Sequence, residues 1–269
     1  MYIDPTVTSE TLLSFSSPSA FWYSLNRKYQ PFYIFLANYI LASILYLIFG
    51  AIFAVIEQKE YLTKYKIIKG HKYTAADYWR CSQNLIVNML LKVPIALFLG
   101  WPLVPFLVHP NPPVDQFPSL GTFLLHIFLA LYIEDATHYV LHRILHISPL
   151  YQLIHKKHHE FQVTLALAGN YASATETAIL GFATFLPLYV CNMHLFTFYV
   201  WINVRWVDAA FEHSGFDILP KVLPFQGGVP FHDYHHAKFL YNFGSRFTYL
   251  DRLFGTYQDP YQPPNNKKQ

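Results

Sequence analysis

Residues 120–146 read LGTFLLHIFLALYIEDATHYVLHRILH. Residues 120–133 are apolar and carry no charge, and then two acids and a series of histidines arrive within two turns. Residues four apart share one face of a helix. On that face stand Glu134, His138, His142 and His146, and Asp135 lies three residues before His138. The stretch predicts one helix that leaves an apolar layer as its polar face begins. His138 and His142 are close enough on such a helix to share a metal ion. Glu134 and Asp135 are natural acceptors for the ring N–H of a ligating histidine, fixing its tautomer and raising its basicity. His146 prolongs the face by one turn, as a ligand or as a hydrogen-bond partner.

Two further clusters follow. His155-Lys156-Lys157-His158-His159 has spacings of three and four, which set His158 and His159 on either side of the line through His155. One face can in this way feed two neighbouring ions. His232-Asp233-Tyr234-His235-His236 repeats the spacing. Between them His213 stands in Glu212-His213-Ser214-Gly215, with Asp217 four residues on as a ligand or a hydrogen-bond partner. His71, His109, His126 and His194 are isolated and read as ordinary surface or core histidines.

Eight clustered imidazoles beside apolar helices would leave many ring nitrogens buried without partners, at a cost of kilocalories each. A metal resolves this, because each neutral ring offers a lone pair and its other nitrogen is free to bond elsewhere. A structural zinc site uses four ligands and is usually rich in cysteine. Eight or nine histidines suit two ions. Calcium and magnesium prefer oxygen, so iron and zinc both remain open among the imidazole-binding metals. The soluble di-iron bundle is excluded, because it needs bridging glutamates and Glu-x-x-His pairs and no such pair occurs here.

The rest of the chain agrees with a membrane setting. It has 269 residues, enough for one substantial domain. It is 53% hydrophobic and 13% charged, against about 25% charged for a typical soluble domain. Residues 32–56 are uncharged and long enough to cross a hydrocarbon layer of about 30 Å. Residues 85–108 form a second candidate, interrupted by Lys92, whose stem can snorkel, and by Pro94, Pro102 and Pro105. Residues 109–119 hold four prolines and read as a loop. Residues 120–137 are the third segment. Residues 178–204 form one tilted span or two half-crossings broken at Pro187 and at Cys191-Asn192-Met193-His194. The fold class expected is an all-helical integral membrane protein with about four segments and a helical cap holding the metals.

Charge orients these pieces. Lys59, Lys64, Lys66, Lys69, Lys72 and Arg80 fall between the first two segments, and no Lys or Arg occurs between Lys92 and Arg143 or between Lys157 and Arg205. The basic linkers belong on the cytoplasmic side, which places the N-terminus across the membrane and all three histidine clusters in the cytosol. Arg27 and Lys28 oppose this orientation. The first 28 residues lack the pattern of a cleaved signal peptide, so targeting is expected to fall to the first membrane segment. The tail Asn266-Lys267-Lys268-Gln269 stands one place off a dilysine retrieval pattern. A net charge of +3 is too small and dispersed for a nucleic-acid partner. Cys81 and Cys191 form no motif.

The ordered boxes His-x3-His, His-x2-His-His and His-x2-His-His, with apolar segments around them, resemble the membrane fatty acid hydroxylase/sterol desaturase superfamily. The resemblance runs from about 134 to 259, taken as the catalytic region of a single membrane domain. Supporting phrases are Leu141-His142-Arg143-Ile144-Leu145-His146, His155-Lys156-Lys157-His158-His159-Glu160-Phe161, Glu212-His213-Ser214-Gly215-Phe216-Asp217 and Asp251-Arg252-Leu253-Phe254-Gly255-Thr256. Within the superfamily the wording is most similar to the C4-methylsterol monooxygenases. There is one departure. Those enzymes carry a Tyr-Ala-His-Pro-x-Glu stretch, and here it reads Tyr171-Ala172-Ser173-Ala174-Thr175-Glu176. The sterol side-chain 25-hydroxylases also lack that histidine, which puts the oxidised carbon in doubt.

The resemblance implies an endoplasmic-reticulum enzyme with two iron ions held by His138, His142, His155, His158, His159, His213, His232, His235 and His236. It implies O2 as oxidant and electrons from NADH or NADPH through cytochrome b5 and its reductase. The reaction implied carries a sterol C4 methyl group through alcohol and aldehyde to carboxylate. The alternatives are hydroxylation of a sterol side chain or fatty acyl chain, or a non-catalytic membrane protein that keeps a metal site. Trp201, Trp206, Phe211 and Phe216 are expected to line an apolar cavity for the lipid, with ordinary packing as the alternative. The basic linker and Lys156/Lys157 offer a surface for an acidic electron donor or for lipid headgroups.

Overall fold

The computed structural model describes residues 31–100 and 117–262, together with Trp22 and Leu25. The eight α-helices among the described residues are α1 (Pro31–Gln58), α2 (Ala75–Val87), α3 (Val93–Gly100), α4 (Leu120–Leu145), α5 (Ala174–Val190), α6 (Leu195–Glu212), α7 (Val229–Lys238) and α8 (Tyr249–Leu253). Among the described residues the only β pairing is two isolated bridges.

The helix starts follow from local chemistry. Thr74 and Asp77 form a reciprocal capping box on α2. Ser119 accepts from Thr122 N and opens α4, and Ser173 accepts from Glu176 N and opens α5, both at 3.1 Å. Between α2 and α3 the chain makes one π-helical turn at Asn88–Lys92. Pro94 has no N–H to continue the ordinary ladder there, and the widened turn lets the helix run on.

Two helices, α1 and α4, are long and apolar enough to cross a membrane, with 28% and 17% of their most apolar windows buried. A core helix of a soluble protein would be mostly buried. Here Ile40, Leu41, Ile44, Ile48, Ile52 and Val55 of α1 and Leu120, Leu124, Leu125 and Phe128 of α4 face outward. Lipid is the solvent in which such faces carry no penalty, and the protein is membrane-associated.

Of the about four segments expected, two are thus seen as helices of spanning length among the described residues. Residues 178–204 are not one span. The chain breaks at residues 191–194 into α5 and α6, of 17 and 18 residues. The Trp201 indole N–H of α6 donates to the Thr184 carbonyl of α5 at 2.9 Å, so the two helices fold back on each other. The segment expected at 85–108 is divided by the π turn, and its residues 101–108 lie outside the described residues, as do residues 109–116 of the proline-rich loop, Arg27, Lys28 and the C-terminal lysines.

The helices pack in two pairs, α1 against α6 and α4 against α5. Ala42, Ala130, Ala183 and Ala210 are fully buried and let the backbones approach closely. A Cβ at Gly50 would run into Leu167, which marks the contact of α1 with the turn Ala166–Asn170. The Tyr46 hydroxyl donates to the Leu167 carbonyl at 2.8 Å and accepts from Asn170 N at 3.0 Å. Asn203 of α6 donates to Asn38 of α1 at 2.8 Å. These bonds hold the apolar helices under a polar cap built from residues 146–173 and 213–262.

Candidate metal centre

Nine histidines converge in two groups. The first holds His142, His146, His155, His159 and His235, and the second holds His158, His213, His232 and His236. Within each group the ligand atoms all lie within 4.8 Å of one another. The arrangement follows from helical geometry. Residues four apart point almost the same way, and a residue three on diverges from its neighbour by about a hundred degrees. The pairs His142/His146 and His155/His159 therefore enter the first group, while His158 turns to the second. His232/His236 enter the second group, and His235 turns to the first. The two clusters with spacing three and four are woven through each other.

Local backbone sets these directions. The first pair sits in the last turn of α4 and at its C-cap. A π turn at Tyr151–His155, closed by Lys156 N donating to the Tyr151 carbonyl at 2.7 Å, shifts the phase before the tight turn His158–Glu160. His213 caps the C-terminus of α6. The third cluster stands on α7, whose first turn contains Pro230.

The second ring nitrogens decide what the first can do. Nδ1 of His142 meets the Phe243 carbonyl at 2.8 Å, His235 the Tyr241 carbonyl at 2.7 Å, His236 the Phe161 carbonyl at 3.0 Å and His213 the Ala209 carbonyl at 3.0 Å. His155 Nδ1 meets a Glu176 carboxylate oxygen at 2.7 Å. The carbonyl oxygens only accept, so Nδ1 of His142, His235, His236 and His213 carries the proton and Nε2 of each is left as a bare lone pair. Yet Nε2 of His142 and of His155 lie 3.0 Å apart. In the second group His232 Nε2 is 2.9 Å from that of His213 and 3.2 Å from that of His236. His235 Nε2 is buried with no hydrogen-bond partner. One ring proton can serve only one of the several lone pairs that converge in each group; the others repel, and a cation between them reverses the sign. The residues fit a pair of metal ions.

Charge state agrees. Burial first, and the neighbouring rings second, hold the imidazoles of His155, His158, His159, His232, His235 and His236 well below their ordinary 6.5. Burial lowers His213 to about 3. All are neutral donors near pH 7. Neither group includes a cysteine or a carboxylate, a donor set that suits iron, zinc, copper or nickel and disfavours calcium and magnesium.

The remaining candidates are placed as follows. His138 belongs to neither group. Its ring lies 5.0 Å from that of His142, and its Nδ1 is 3.8 Å from a Glu134 oxygen. His146, the alternative on the same face, is in the first group. Glu134 accepts from Arg205 at 2.9 Å and from the Ser245 hydroxyl at 3.1 Å. Asp135 meets backbone instead of a ring: it accepts from Arg246 N at 2.7 Å and Phe247 N at 2.9 Å. The physical reason is its place on α4, a hundred degrees round from Glu134 and turned to the loop after α7. Asp217 lies away from both groups and accepts from the Tyr261 hydroxyl at 3.1 Å.

The four aromatic residues expected around a cavity are engaged in packing. Trp201 is fully buried. Trp206 meets Tyr39 and Tyr46 edge-on at 5.6 and 6.0 Å, Phe211 meets Phe53 at 5.1 Å, and Phe216 stacks with Phe53 at 6.2 Å. Together they fasten α6 and the segment after it to α1. A cleft of about 480 Å³ lies elsewhere, bordered by Lys221, Phe225, Phe231, Arg252 and Tyr257.

Several supporting residues had no role in the sequence reading. Arg205 reaches Glu134, Asp208 at 3.0 Å and Glu212 at 3.2 Å, and Arg246 also pairs with Asp208. Asp251 accepts from Phe243 N at 2.8 Å and Gly244 N at 2.9 Å, which places the carbonyl that orients His142. Asp233, between the histidines of α7, accepts from Thr164 N and its hydroxyl at 2.9 and 2.8 Å. Glu176 holds His155. Its sequence signals are the Ser-x-x-Glu start of α5 and its place at the end of the Tyr171–Glu176 stretch.

The family profile described as fatty acid hydroxylase matches residues 127–256. The chain is 36% identical over 202 residues to methylsterol monooxygenase 1 of Gallus gallus, covering 73% of this chain and 67% of that one. It is 32% identical over 244 residues to methylsterol monooxygenase 1 of Danio rerio and 30% identical over 242 residues to methylsterol monooxygenase 1-3 of Arabidopsis thaliana, in each case covering 87% of this chain and 82% of the relative. No solved structure matches the chain.

Proposed function

The chain belongs to the fatty acid hydroxylase family, among relatives of the methylsterol monooxygenases, and on that premise we propose that it is a C4-methylsterol monooxygenase. The observation that carries the proposal is the pair of all-imidazole groups whose bare Nε2 atoms face inward. His142, His146, His155, His159 and His235 would hold one ion, and His158, His213, His232 and His236 the other. His138 is assigned to the edge of the centre, beside His142. Iron at these positions supplies the one-electron and O2 chemistry that an unactivated C–H bond requires.

The protein's own contribution is orientation and exclusion. Carbonyls on Nδ1 of His142, His213, His235 and His236 and a carboxyl on that of His155 keep five of the nine rings aimed at the same places before any ion arrives. Burial of the second group keeps water from it, which favours controlled oxidation over side reactions. The outward apolar faces of α1 and α4 bring the centre beside lipid, where a 4-methylsterol is found. Trp201, Trp206, Phe211 and Phe216 are proposed to border its path; Trp206, Phe211 and Phe216 pack on α1, and Trp201 packs on α5. The region 134–259 carries the chemistry within one membrane domain.

The topology proposed has about four membrane segments, with the α5–α6 hairpin entering part-way. Lys59, Lys64, Lys69 and Lys72 lie at the end of α1 that adjoins the cap, which favours a cytosolic centre on an endoplasmic-reticulum membrane. Electrons are proposed to come from NADH or NADPH through cytochrome b5 and its reductase, with Lys156 and Lys157 as the docking cations. The test is expression in cells lacking their C4 oxidase. Loss of accumulated 4,4-dimethylsterol is expected. Persistence of that sterol with the protein present in the membrane overturns the proposal, and a new side-chain alcohol in its place selects the side-chain hydroxylase.

A further inference from the structure

The two histidine groups differ in one charged contact. In the second group the Nδ1 atoms of His213 and His236 bond to neutral carbonyls. In the first group His155 bonds to Glu176, and among the described residues it is the sole grouped histidine with a carboxylate on its ring. Glu176 is 1% exposed, and its other oxygen, Oε2, is buried without a hydrogen-bond partner. No Lys or Arg pairs with it among the described residues. A lone buried carboxylate costs several kilocalories unless positive charge is brought near it. The far side of the His155 ring, where Nε2 atoms of His142 and His159 lie 3.0 Å away, is a place where metal charge would offset it.

The backbone delivers this carboxylate deliberately. Ser173 caps α5 and its hydroxyl also donates to the Ile154 carbonyl at 3.0 Å, tying the start of the helix to the residue before His155. Asn88 donates to the Ala172 carbonyl at 2.9 Å on the other side. Glu176 falls in the first turn of α5, aimed back at the π turn. It is a positioning residue, since it touches a ligand ring and not the ion.

We propose that Glu176 makes the two metal positions unequal: through His155 it gives the first group a negatively charged, more basic donor, so that the first group binds its ion more tightly and fills first. The inference rests on the two-metal reading above but not on the substrate. An outer carboxylate of this kind typically changes metal affinity by about 10–100-fold.

The test uses the full chain in detergent, stripped with chelator and titrated anaerobically with Fe²⁺, with Zn²⁺ as a second probe. Two ions per chain are expected, taken up in two steps of unequal affinity. Glu176→Gln keeps an acceptor for Nδ1–H and removes the charge. It should weaken the tighter step by about 10–100-fold and leave the weaker step in place, while Glu176→Asp restores part of the loss. His236→Ala should abolish the weaker step and preserve the one sensitive to Glu176. Thermal unfolding of the metal-free Glu176→Gln protein should match the parent, because the amide has the same shape and keeps an oxygen against His155 Nδ1. Equal affinities in the parent, two unchanged steps in Glu176→Gln, or both steps weakened together with a less stable metal-free protein each overturn the proposal. Unequal loading in a protein that oxidises no 4-methylsterol supports the inference and overturns only the substrate assignment. Fewer than two ions in the parent overturns both.

Discussion

The two halves of α4 obey opposite rules. Its first half exposes Leu120 by 72%, Leu124 by 55% and Leu125 by 54%, while its second half buries Glu134, Asp135 and His142 almost completely. A water-soluble helix would reverse both. The contrast teaches that the solvent changes along one helix. Where it is lipid, apolar side chains lie outside at no cost. Where the helix enters the cap, acids and rings are tolerated inside because each has a named partner: Arg205, backbone amides, carbonyls, and the metal that the ring lone pairs await.

The largest effect expected follows from deleting one ring in each group. His235→Ala and His158→Ala should each abolish oxidation of 4-methylsterol, seen in the sterol profile, with the protein still in the membrane fraction. Activity retained in both variants would break the contrast at its buried end.

Acid comes next. The buried imidazoles stay neutral in the folded chain and take up protons at about 6.5 when unfolded, so unfolding binds protons below that pH. Stability is intact above pH 6.5 and is lost as pH falls, by roughly 1.4 kcal/mol per pH unit for each such histidine. The metal-free protein should show a thermal midpoint that drops steeply from pH 6.5 toward pH 5.5, and bound metal should be released over the same range. A midpoint independent of pH would mean that the rings are not held neutral.

Arg205→Met sharpens the comparison at its hinge. It leaves Glu134 and Glu212 buried without their guanidinium, a change that costs about 3–5 kcal/mol and is read as a lower unfolding temperature in detergent. Arg205→Lys should recover only part, since a lysine cannot span Glu134, Asp208 and Glu212 at once. Leu124→Ala, on the outer half of the same helix, should change stability by less than about 0.5 kcal/mol. A loss comparable to that of a core leucine would place that face against protein.

How much of this was legible beforehand depended on how local the signal was. The uncharged run at 32–56 and the apolar start of α4 are local, and both became helices of spanning length. The break in 178–204 was legible as an interruption at residues 191–194, but its consequence was not. Only the return of Trp201 onto Thr184 distinguishes a hairpin from a bent span. The histidine spacing named seven of the nine rings that converge, and His213 and His146 were read beside them, one as a lone histidine and the other as a ligand or a hydrogen-bond partner. It did not separate His138 from His146, because both lie one turn from His142 on the same face and only the neighbours of that face differ.

The sequence by itself determined the donor chemistry and the membrane setting, since residue type and spacing along a helix are enough to set which rings share a face and which runs suit lipid. The tertiary structure alone decided which rings share a group, because i and i+4 on one helix must meet i+3 on another to complete it. It also decided who stands behind the rings. Glu176, Asp251 and the carbonyls of Phe243 and Phe161 reach the centre from distant parts of the chain, and nothing in their local sequence marks the histidine each one holds.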